Sequence, residues 1–410
     1  MKNQSRKSLL FFALPVVVIL METALFSHPP YAMDEKTNNA LAVFSRVLEE
    51  LKKNYVDEPD PEILVRHAIQ GMMEHLDPYS VFLPPEAFDA LKEKTRGGFA
   101  GIGAGVAMVK NRLTMVCVIE GTPAHRAGIK TGDKIIKIDN DSTAEMSLRD
   151  CVLKIKGPEG SRVRLTLVRE GRPDSFICDL TRDFIPAHSV QGVMLDQRGF
   201  GYVAVRQFRE NTVQDLNTAL KILEASGKGL SGLILDFRNN TGGYLDQAVK
   251  MSDLFLDEGV IVSIKGRHSR DDRVFKATKN DIKRHYPLAV LINGGTASSS
   301  EVVAAALQEH KRAIILGSAS YGKGSVQTVI PFKDGSGIKY TVARYYTPGN
   351  QSIQDRGVIP DIEVVPDSDF FWQEETAIIN GQGAMGIEAL KKDPGIAMAL
   401  DLLLEKVLKK

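Results

Sequence analysis

The stretch INGGTASSSEVVAAALQEH, residues 292–310, joins a predicted strand to a predicted helix. The apolar run PLAVLIN that leads into it is typical of a buried strand, and the residues after the turn have the apolar spacing of a helix. Hydroxyl side chains fill the turn: Thr296, Ser298, Ser299 and Ser300. Free N–H groups at a helix N-terminus attract negative charge, so an oxyanion could be stabilised here. Taken alone, however, Ser298-x-x-Glu301 is better explained as a capping box.

Strands and helices alternate on both sides of this stretch. Between residues 183 and 365, the strand-like runs GYVAV, SGLILDF and RAIILG alternate with the helical runs TVQDLNTALKILEA and YLDQAVKMSDLFL. This alternation predicts an α/β core with a largely parallel sheet. Residues 37–95 and 366–410 have helical apolar spacing, so we expect a helical region at each end.

Residues 97–182 have a different texture, with many glycines and β-branched residues. The runs GIGAGVAMV, RLTMVCVI, KIIKID and SRVRLTLVRE predict strands, and SLRDCVLKI predicts one helix among them. We therefore expect a compact β-rich domain inserted before the α/β core.

Composition excludes several classes of protein. The chain has 410 residues, 43% of them apolar, which is enough for a sizeable core, and its 52 basic residues nearly balance its 51 acidic ones. This balance argues against a nucleic-acid partner. The three cysteines, Cys117, Cys151 and Cys178, lack the spacing of a metal site, so we expect them to be small buried apolar residues. The sequence implies no metal and no cofactor.

The first 32 residues predict export. Lys2, Arg6 and Lys7 precede an apolar run, residues 9–21, that is too short for a typical transmembrane helix. This pattern favours a cleaved signal peptide and a periplasmic protein. A retained anchor in the inner membrane stays open as the alternative.

A nucleophilic hydroxyl requires a base, and the histidines are poor candidates. His268, His285 and His310 lie in no recognisable pattern with an acid, and the Gly-x-Ser-x-Gly turn of α/β-hydrolases is absent. A Ser-His-Asp triad is therefore disfavoured, although His268 and Asp271 are available for one.

Lys323, in GSASYGKGSVQTV, is the stronger candidate. The segment nearly matches a phosphate-binding loop, but Gly324 replaces the required Ser or Thr and a strand-like run follows, so we reject a nucleotide site. Flanking glycines allow a lysine to enter a dry pocket, where burial favours the neutral amine. Lowering its pKa by ~3 units from ~10.4 would take roughly 4 kcal/mol. A neutral lysine can accept a serine proton, and Gln327 would lie on the same strand face to hold it.

Four segments together resemble the C-terminal processing peptidases, which are tail-specific Ser-Lys proteases: NGGTASSSEVVAAAL, YGKGSVQT, RNNTGGYLDQAV and YTPGNQSIQDRGVIPD. The resemblance spans residues 40 to 365 and implies a crotonase- or ClpP-like protease core at 183–365. It implies that Ser298 is the nucleophile, Lys323 the general base and Gln327 the residue that positions the lysine. It also implies an oxyanion hole formed by the amide of Gly242 or Gly243 with that of Ser299.

The chain departs from the family pattern at three positions near these motifs. Thr296 replaces a serine, and Ser299 replaces an alanine; both residues are small. Asn350 stands where glycine is usual, and asparagine tolerates the left-handed conformation that such a turn requires. We therefore expect the site to keep its geometry.

Residues 97–182 resemble a PDZ domain, with GIGAGVAM similar to its carboxylate-binding loop. The resemblance implies peptide-binding residues in that loop and on the domain's helix: Gly101, Ile102, Gly103, Leu148 and Val152. Such a domain adds an extended peptide to a sheet edge and holds its terminal carboxylate. Lys156 stands where the family more often has arginine, and a lysine cannot make the bidentate contact of a guanidinium.

We therefore expect an exported serine endopeptidase that cuts proteins with apolar C-terminal tails. An adaptor protein and self-association are further expected partners. Two alternatives stay open, a PDZ domain that is only a spacer and a non-catalytic tail-binding scaffold. A third, an acyl-CoA enzyme of crotonase type, conflicts with the export signal.

Overall fold

The structure is a computed structural model that describes residues 33–95, 98–186, 189–227, 229–279, 284–364 and 383–409. The predicted signal at residues 1–32 lies outside these ranges. Within them, no helix has both the length and the apolar character needed to cross a membrane. The chain divides into two compact units after Met72.

The first unit contains helix α1 (Glu35–Asn54) and most of helix α2 (Pro61–Glu74). The Asp34 carboxylate caps α1 by accepting the N–H of Thr37 at 2.7 Å. None of the residues of α1 is buried, although its apolar spacing predicts a helix with one apolar face. The exposed large apolar side chains on α1 are Leu41, Val43, Phe44, Val47 and Leu51.

The second unit begins with β1 (Val81–Leu83) and α3 (Pro85–Thr95), which lead into the β-rich domain. The elements of that domain are β2 (Gly98–Gly101), β3 (Ala104–Val109), β4 (Arg112–Val118), α4 (Pro123–Arg126), β5 (Lys134–Ile138), β6 (Asp141–Ser142), α5 (Leu148–Ile155), β7 (Arg162–Val168), β8 (Phe176–Thr181) and β9 (Asp183–Pro186). Strands β3, β4, β5, β7 and β8 pair in that order, and β6 pairs with β5. Strands β2 and β9 form a separate two-stranded ribbon at the domain's two ends.

Alternate residues of these strands form the core of the β-rich domain. Leu165 and Leu167 of β7 are fully buried with Ile135 and Ile138 of β5. Cys151 and Cys178 are also buried, as predicted, whereas Cys117 is partly exposed. Strand β3 is an edge strand, and helix α5 packs against it.

The α/β core follows. Its elements are β10 (Val190–Met194), β11 (Phe200–Val205), α6 (Thr212–Ala225), β12 (Gly232–Asp236), α7 (Leu245–Asp253), β13 (Val260–Gly266), β14 (Arg273–Lys276), β15 (Leu288–Ile292), α8 (Ser299–Glu309), β16 (Ala313–Gly317), β17 (Ser325–Pro331), β18 (Gly337–Tyr346), β19 (Ile362–Glu363), α9 (Gly383–Leu390) and α10 (Pro394–Leu408). A short 3₁₀ turn at Ser269–Asp271 precedes β14.

The main sheet has the strand order β10-β11-β12-β15-β16-β19, and every pair is parallel except β10 with β11. Helices α6, α7 and α8 contribute to the apolar core on one face, and helix α10 covers the other. Burial on both faces explains the continuous apolar runs of β11, β12 and β15. The predicted parallel α/β core is confirmed.

A second sheet is built around the long strand β18. Strands β1, β13 and β17 each pair antiparallel with β18, and β14 pairs with β13. This sheet brings the segment after Lys323 beside the N-terminal part of the second unit.

A buried ion-pair network ties the C-terminal helix to the main sheet. The Arg238 guanidinium, just after β12, contacts the carboxylate of Asp236 at 2.7 Å and that of Asp393 at 2.8 Å. Asp393 also caps α10 by accepting the N–H of Ile396 at 2.9 Å. The hydroxyl of Tyr202 donates to Asp236 at 2.8 Å. Because each buried charge has partners, the network can persist away from water.

Candidate active site

The loops that follow three adjacent parallel strands meet at one edge of the main sheet. Residues 237–243 follow β12, residues 293–298 follow β15, and residues 318–324 follow β16. The carboxyl ends of parallel strands share an edge, and open α/β sheets bind ligands there. The predicted oxyanion turn, nucleophile and lysine therefore lie on neighbouring loops.

Three of the four hydroxyls in the turn hold these loops together. Their side chains are buried and donate to backbone carbonyls of the neighbouring loop: Thr296 to Phe237 at 2.8 Å, Ser299 to Gly243 at 2.9 Å and Ser300 to Asn240 at 3.0 Å. Ser298 is the member of the cluster that is not buried. Its hydroxyl makes no such contact with the neighbouring loop and is available for chemistry.

Ser298 occupies an unusual backbone conformation at the N-terminus of α8. Its φ of 58° and ψ of −119° are favoured by glycine rather than by serine. A capping box with Glu301 is present, and the Glu301 carboxylate accepts the N–H of Ser298 at 2.7 Å. The Ser298 hydroxyl oxygen lies 2.7 Å from the hydroxyl of Tyr345. Capping and a chemical role therefore do not exclude each other at this residue.

Glu301 connects the turn of Ser298 to the loop of Lys323. Its carboxylate is fully buried and accepts four hydrogen bonds, from the N–H groups of Ser298 (2.7 Å), Gly322 (2.6 Å) and Lys323 (2.9 Å) and from the hydroxyl of Ser320 (2.5 Å). The sequence predicts Glu301 only as a capping residue. The signal for a larger role was a single acidic side chain followed by six apolar residues, Val302 to Leu307.

The amine of Lys323 lies above the ring of Tyr79, 4.8 Å from the ring centre. Burial lowers the pKa of the Lys323 ammonium below that of an ordinary lysine. The nearby charge of Lys339 lowers it further, while the carboxylates of Asp77 and Glu301 oppose the shift. Burial also raises the pKa of the Tyr79 phenol to about 12, so Tyr79 stays neutral beside the amine. This direction of shift is the one a lysine base requires.

Within the described residues, no hydrogen bond joins Gln327 to Lys323. Its amide nitrogen donates to the hydroxyl of Ser325 at 2.7 Å and to that of Thr341 at 3.4 Å. Lys323 precedes strand β17, which begins at Ser325, so the expected shared strand face is not formed. The strand in place of a helix after Lys323 agrees with the rejection of a nucleotide-binding loop.

The amides of the predicted oxyanion hole differ in their availability. The N–H of Gly242 donates to the side-chain oxygen of Asn240 at 2.9 Å. Within the described residues, the N–H groups of Gly243 and Ser299 have no acceptor. Gly242 lies so close to Ser298 that a Cβ added to it would be 2.8 Å from the Cβ of Ser298 and 2.9 Å from the nitrogen of Ser299.

None of the three histidines considered as a base, His268, His285 and His310, hydrogen-bonds to Ser298 within the described residues. The ring of His310 bonds the carbonyl of Val260 at 2.7 Å, at the far end of α8. In the part of the chain that the structure describes, neither His268 nor His285 makes a hydrogen bond to Ser298.

The predicted peptide-binding residues lie around the exposed edge of β3. Gly103 has a φ of +74°, and a Cβ on it would be 2.2 Å from Thr122, so only glycine fits this loop. The Ile102 side chain is buried in the domain core and its carbonyl accepts the N–H of Ala124 at 2.9 Å, which leaves its own N–H for a ligand. Leu148 is 38% exposed at the start of α5, and Val152 lies one turn later on the same side. Gly101 pairs with Asp183 in the ribbon of β2 and β9.

The fold and the site together are those of a peptidase core with an inserted PDZ domain, and comparisons with known proteins agree. Residues 199–364 match the model of Peptidase family S41, residues 114–169 match a PDZ domain, and residues 25–87 match the N-terminal domain of the activating protease CtpB.

Individual relatives cover most of the chain. A carboxy-terminal-processing protease of Bartonella bacilliformis is 40% identical over 333 residues, which cover 81% of this chain and 76% of that protein. The carboxy-terminal processing protease CtpA of Bacillus subtilis is 37% identical over 79% of this chain and 69% of its own length. Among solved structures, the photosystem II D1 C-terminal processing protease is 30% identical, with a TM-score of 0.47, over 79% of this chain and 92% of that one. The chain belongs to the C-terminal processing peptidases of family S41 and is a serine-type endopeptidase.

Proposed function

We propose that the protein is an exported carboxy-terminal processing protease that cuts protein tails with a Ser298–Lys323 pair. The observation that carries the proposal is that Ser298 differs from the other three hydroxyl residues of its turn in burial and in hydrogen bonding. Three hydroxyls hold the loops together, and Ser298 alone lies unburied beside the loop of a lysine with a lowered pKa.

The chemistry follows from these positions. The Ser298 oxygen bonds to the carbonyl carbon of the scissile peptide while its proton passes to the neutral amine of Lys323. The carbonyl oxygen becomes an oxyanion, held by the free N–H groups of Gly243 and Ser299. Gly242 keeps the turn in shape through Asn240. The oxyanion then collapses, the carbon–nitrogen bond of the peptide breaks, and the lysine ammonium gives its proton to the leaving amine. A water molecule releases the acyl group from Ser298 by the same steps.

Attack requires the lysine side chain to move. In this structure its amine lies over the ring of Tyr79, and no hydrogen bond of the described chain joins it to Ser298 or Gln327. Turning away from Tyr79 would bring the amine to Ser298, and a rotation of the Gln327 amide would let its oxygen hold the amine. Gln327 thus positions the base in the active arrangement.

The PDZ domain recognises the tail of the substrate in this proposal. An apolar C-terminal segment would pair with the edge of β3, with its final side chain against Leu148 and Val152 of α5. The amides of the loop at residues 101–103 would hold its carboxylate. The predicted signal peptide places these substrates outside the cytoplasm, in the periplasm or at the inner membrane, and an adaptor protein or self-association could regulate access. We propose these domain limits: a signal peptide or membrane anchor at 1–32, a helical region at 37–95, the PDZ domain at 97–182, the protease core at 183–365 and a second helical region at 366–410.

The decisive experiment compares Ser298→Ala with Ser300→Ala on a fluorogenic peptide that has an apolar free C-terminus. Ser298→Ala removes the nucleophile and should abolish turnover. Ser300→Ala removes one loop-to-loop hydrogen bond, which costs about 1 kcal/mol of stability and should leave most activity. A Ser298→Ala protein that melts lower and still cleaves would make Ser298 a helix cap only.

A second substrate tests tail recognition separately. Amidating the C-terminus of the same peptide removes the charge that the loop amides would bind. Equal turnover of the free and amidated peptides would leave the PDZ domain as a spacer. Cell fractionation of the full chain, beside a variant with Val17→Glu in the apolar run, tests export.

A further inference from the structure

Tyr345 contacts Ser298 and the residue that follows Lys323. It lies on strand β18, its side chain is 2% exposed, and its hydroxyl oxygen lies 2.7 Å from that of Ser298. Its backbone N–H donates to the carbonyl of Gly324, the residue after Lys323, at 3.0 Å. A shift of β18 would therefore move the nucleophile's partner and the lysine's loop together.

The burial of Tyr345 decides which hydroxyl donates. Within the described residues, the Tyr345 hydroxyl has Ser298 as its one hydrogen-bond partner. A buried O–H group without an acceptor costs about 1–3 kcal/mol, so the phenol donates to the serine oxygen. Ser298 is partly exposed, and its own proton is then free to point elsewhere. Burial also raises the pKa of the Tyr345 phenol well above its ordinary range, so the donor keeps its proton at every working pH.

We propose that Tyr345 is a further catalytic residue, a fixed hydrogen-bond donor that orients the Ser298 oxygen and leaves the serine proton to the base. This inference rests on the proposed role of Ser298 as the nucleophile.

During attack, the O–H bond of Ser298 breaks and its proton passes to the Lys323 amine, while the oxygen forms its bond to the carbonyl carbon. Tyr345 loses no proton in this step. When water later attacks the acyl group, the carbon–oxygen bond to Ser298 breaks and the serine oxygen recovers its proton from the lysine ammonium. The phenol stabilises the negative charge that develops on this oxygen as it departs.

Tyr345→Phe tests the proposal because it removes the donor and keeps the ring. Tyr346→Phe is the matched control, since Tyr346 is the next residue of the same strand and its ring lies under the amine of Lys265, 4.4 Å away. Successive strand residues point to opposite faces, so the Tyr346 hydroxyl does not approach Ser298. Three readouts are needed: kcat and KM for one peptide, the rate at which a fluorophosphonate labels Ser298, and melting by circular dichroism.

We expect kcat and the labelling rate of Tyr345→Phe to fall ~10²-fold with KM and melting close to wild type, because the lost contact is made to the reacting oxygen and not to the bound peptide. Tyr346→Phe should match wild type. A Tyr345→Phe protein as fast as the control, or faster, overturns the proposal. So does one that melts far below the control, because the hydroxyl would then be structural. Ser298→Ala, run beside them, separates the two proposals: if it still cleaves, the nucleophile is wrong, and if it is dead while Tyr345→Phe is fully active, only the tyrosine is wrong.

Discussion

Replacing Glu301 by glutamine should damage the protein far more than the loss of one charge suggests. All four partners of its buried carboxylate are donors: the N–H groups of Ser298, Gly322 and Lys323, and the hydroxyl of Ser320. One carboxylate oxygen accepts from Ser320 and Gly322, and the other from Ser298 and Lys323. Glutamine keeps one oxygen and turns the other into an amide that is itself a donor. In either orientation of the glutamine side chain, two of the four donors face its NH₂ group and lose their acceptor.

The expected magnitude follows from that count. A buried donor without an acceptor costs about 1–3 kcal/mol, so two such donors cost about 2–6 kcal/mol. This loss is a large part of the total stability of about 5–15 kcal/mol of a typical domain. For a chain of 410 residues the entropy of unfolding is about 0.9 kcal/mol/K, so a loss of 1 kcal/mol lowers the melting temperature by about 1 °C and Glu301→Gln should melt lower by about 2–7 °C. Because the same carboxylate joins the two loops, turnover should be lost even below the melting temperature.

Glu309→Gln on the same helix is the control. Glu309 is exposed and accepts one hydrogen bond, from the N–H of Gly349 at 2.5 Å, which the oxygen of a glutamine can still accept. Thermal unfolding by circular dichroism and peptide turnover would be measured for both variants. If Glu301→Gln melted with Glu309→Gln and cleaved at a comparable rate, the account of Glu301 as the link between the two loops would be wrong.

Three further predictions concern the proposed base Lys323, the turn at Gly242 and the proposed peptide-binding residue Leu148. The kcat/KM should rise with pH, with an apparent pKa below the ~10.4 of a free amine, because only neutral Lys323 accepts the serine proton. Lys323→Arg should be as inactive as Lys323→Ala at every pH from about 5 to 10. Gly242→Ala should abolish turnover because its Cβ would collide with the nucleophile's turn, whereas Gly294→Ala, whose Cβ meets open space, should remain active; equal rates would refute this. Leu148→Glu should raise KM for apolar-tailed peptides without changing kcat, and Leu153→Glu, 62% exposed on the same helix, should not, as fluorescence titration of a labelled tail peptide would show.

The sequence predicted the elements whose patterns are local. The α/β alternation, the β-rich insert and the helix after the hydroxyl turn are all present, because apolar periodicity reports directly which face of a strand or helix is buried. Strand β18 was not anticipated, since its sequence GIKYTVARYY alternates weakly and only two of its ten residues, Gly337 and Tyr345, are buried. Its importance comes from pairing with three other strands, a long-range property that periodicity does not encode.

The site shows the same division. Ser298 and Lys323 each lie in a short motif that can be recognised in the sequence, so the sequence could predict them together as a nucleophile and its base. Tyr345 could not, because its contact with Ser298 spans 47 positions along the chain. The assignment of the other three hydroxyls to loop contacts likewise depended on carbonyls about 60 residues away. Spatial contacts of that kind become visible only once the strand order is known.

At Ser298, the backbone conformation that presents the proposed nucleophile also lowers the stability of the fold. Holding a residue other than glycine at a φ of 58° and a ψ of −119° costs about 1–3 kcal/mol. Glycine would relieve that strain and end the chemistry, whereas threonine would keep a hydroxyl but add a branched side chain to the same strained backbone. With the proposed role of Ser298 as the nucleophile, selection for cleavage would keep a serine here despite its cost in stability. A descendant released from that selection would be expected to drift to glycine at position 298 and to persist as a more stable, tail-binding pseudoenzyme.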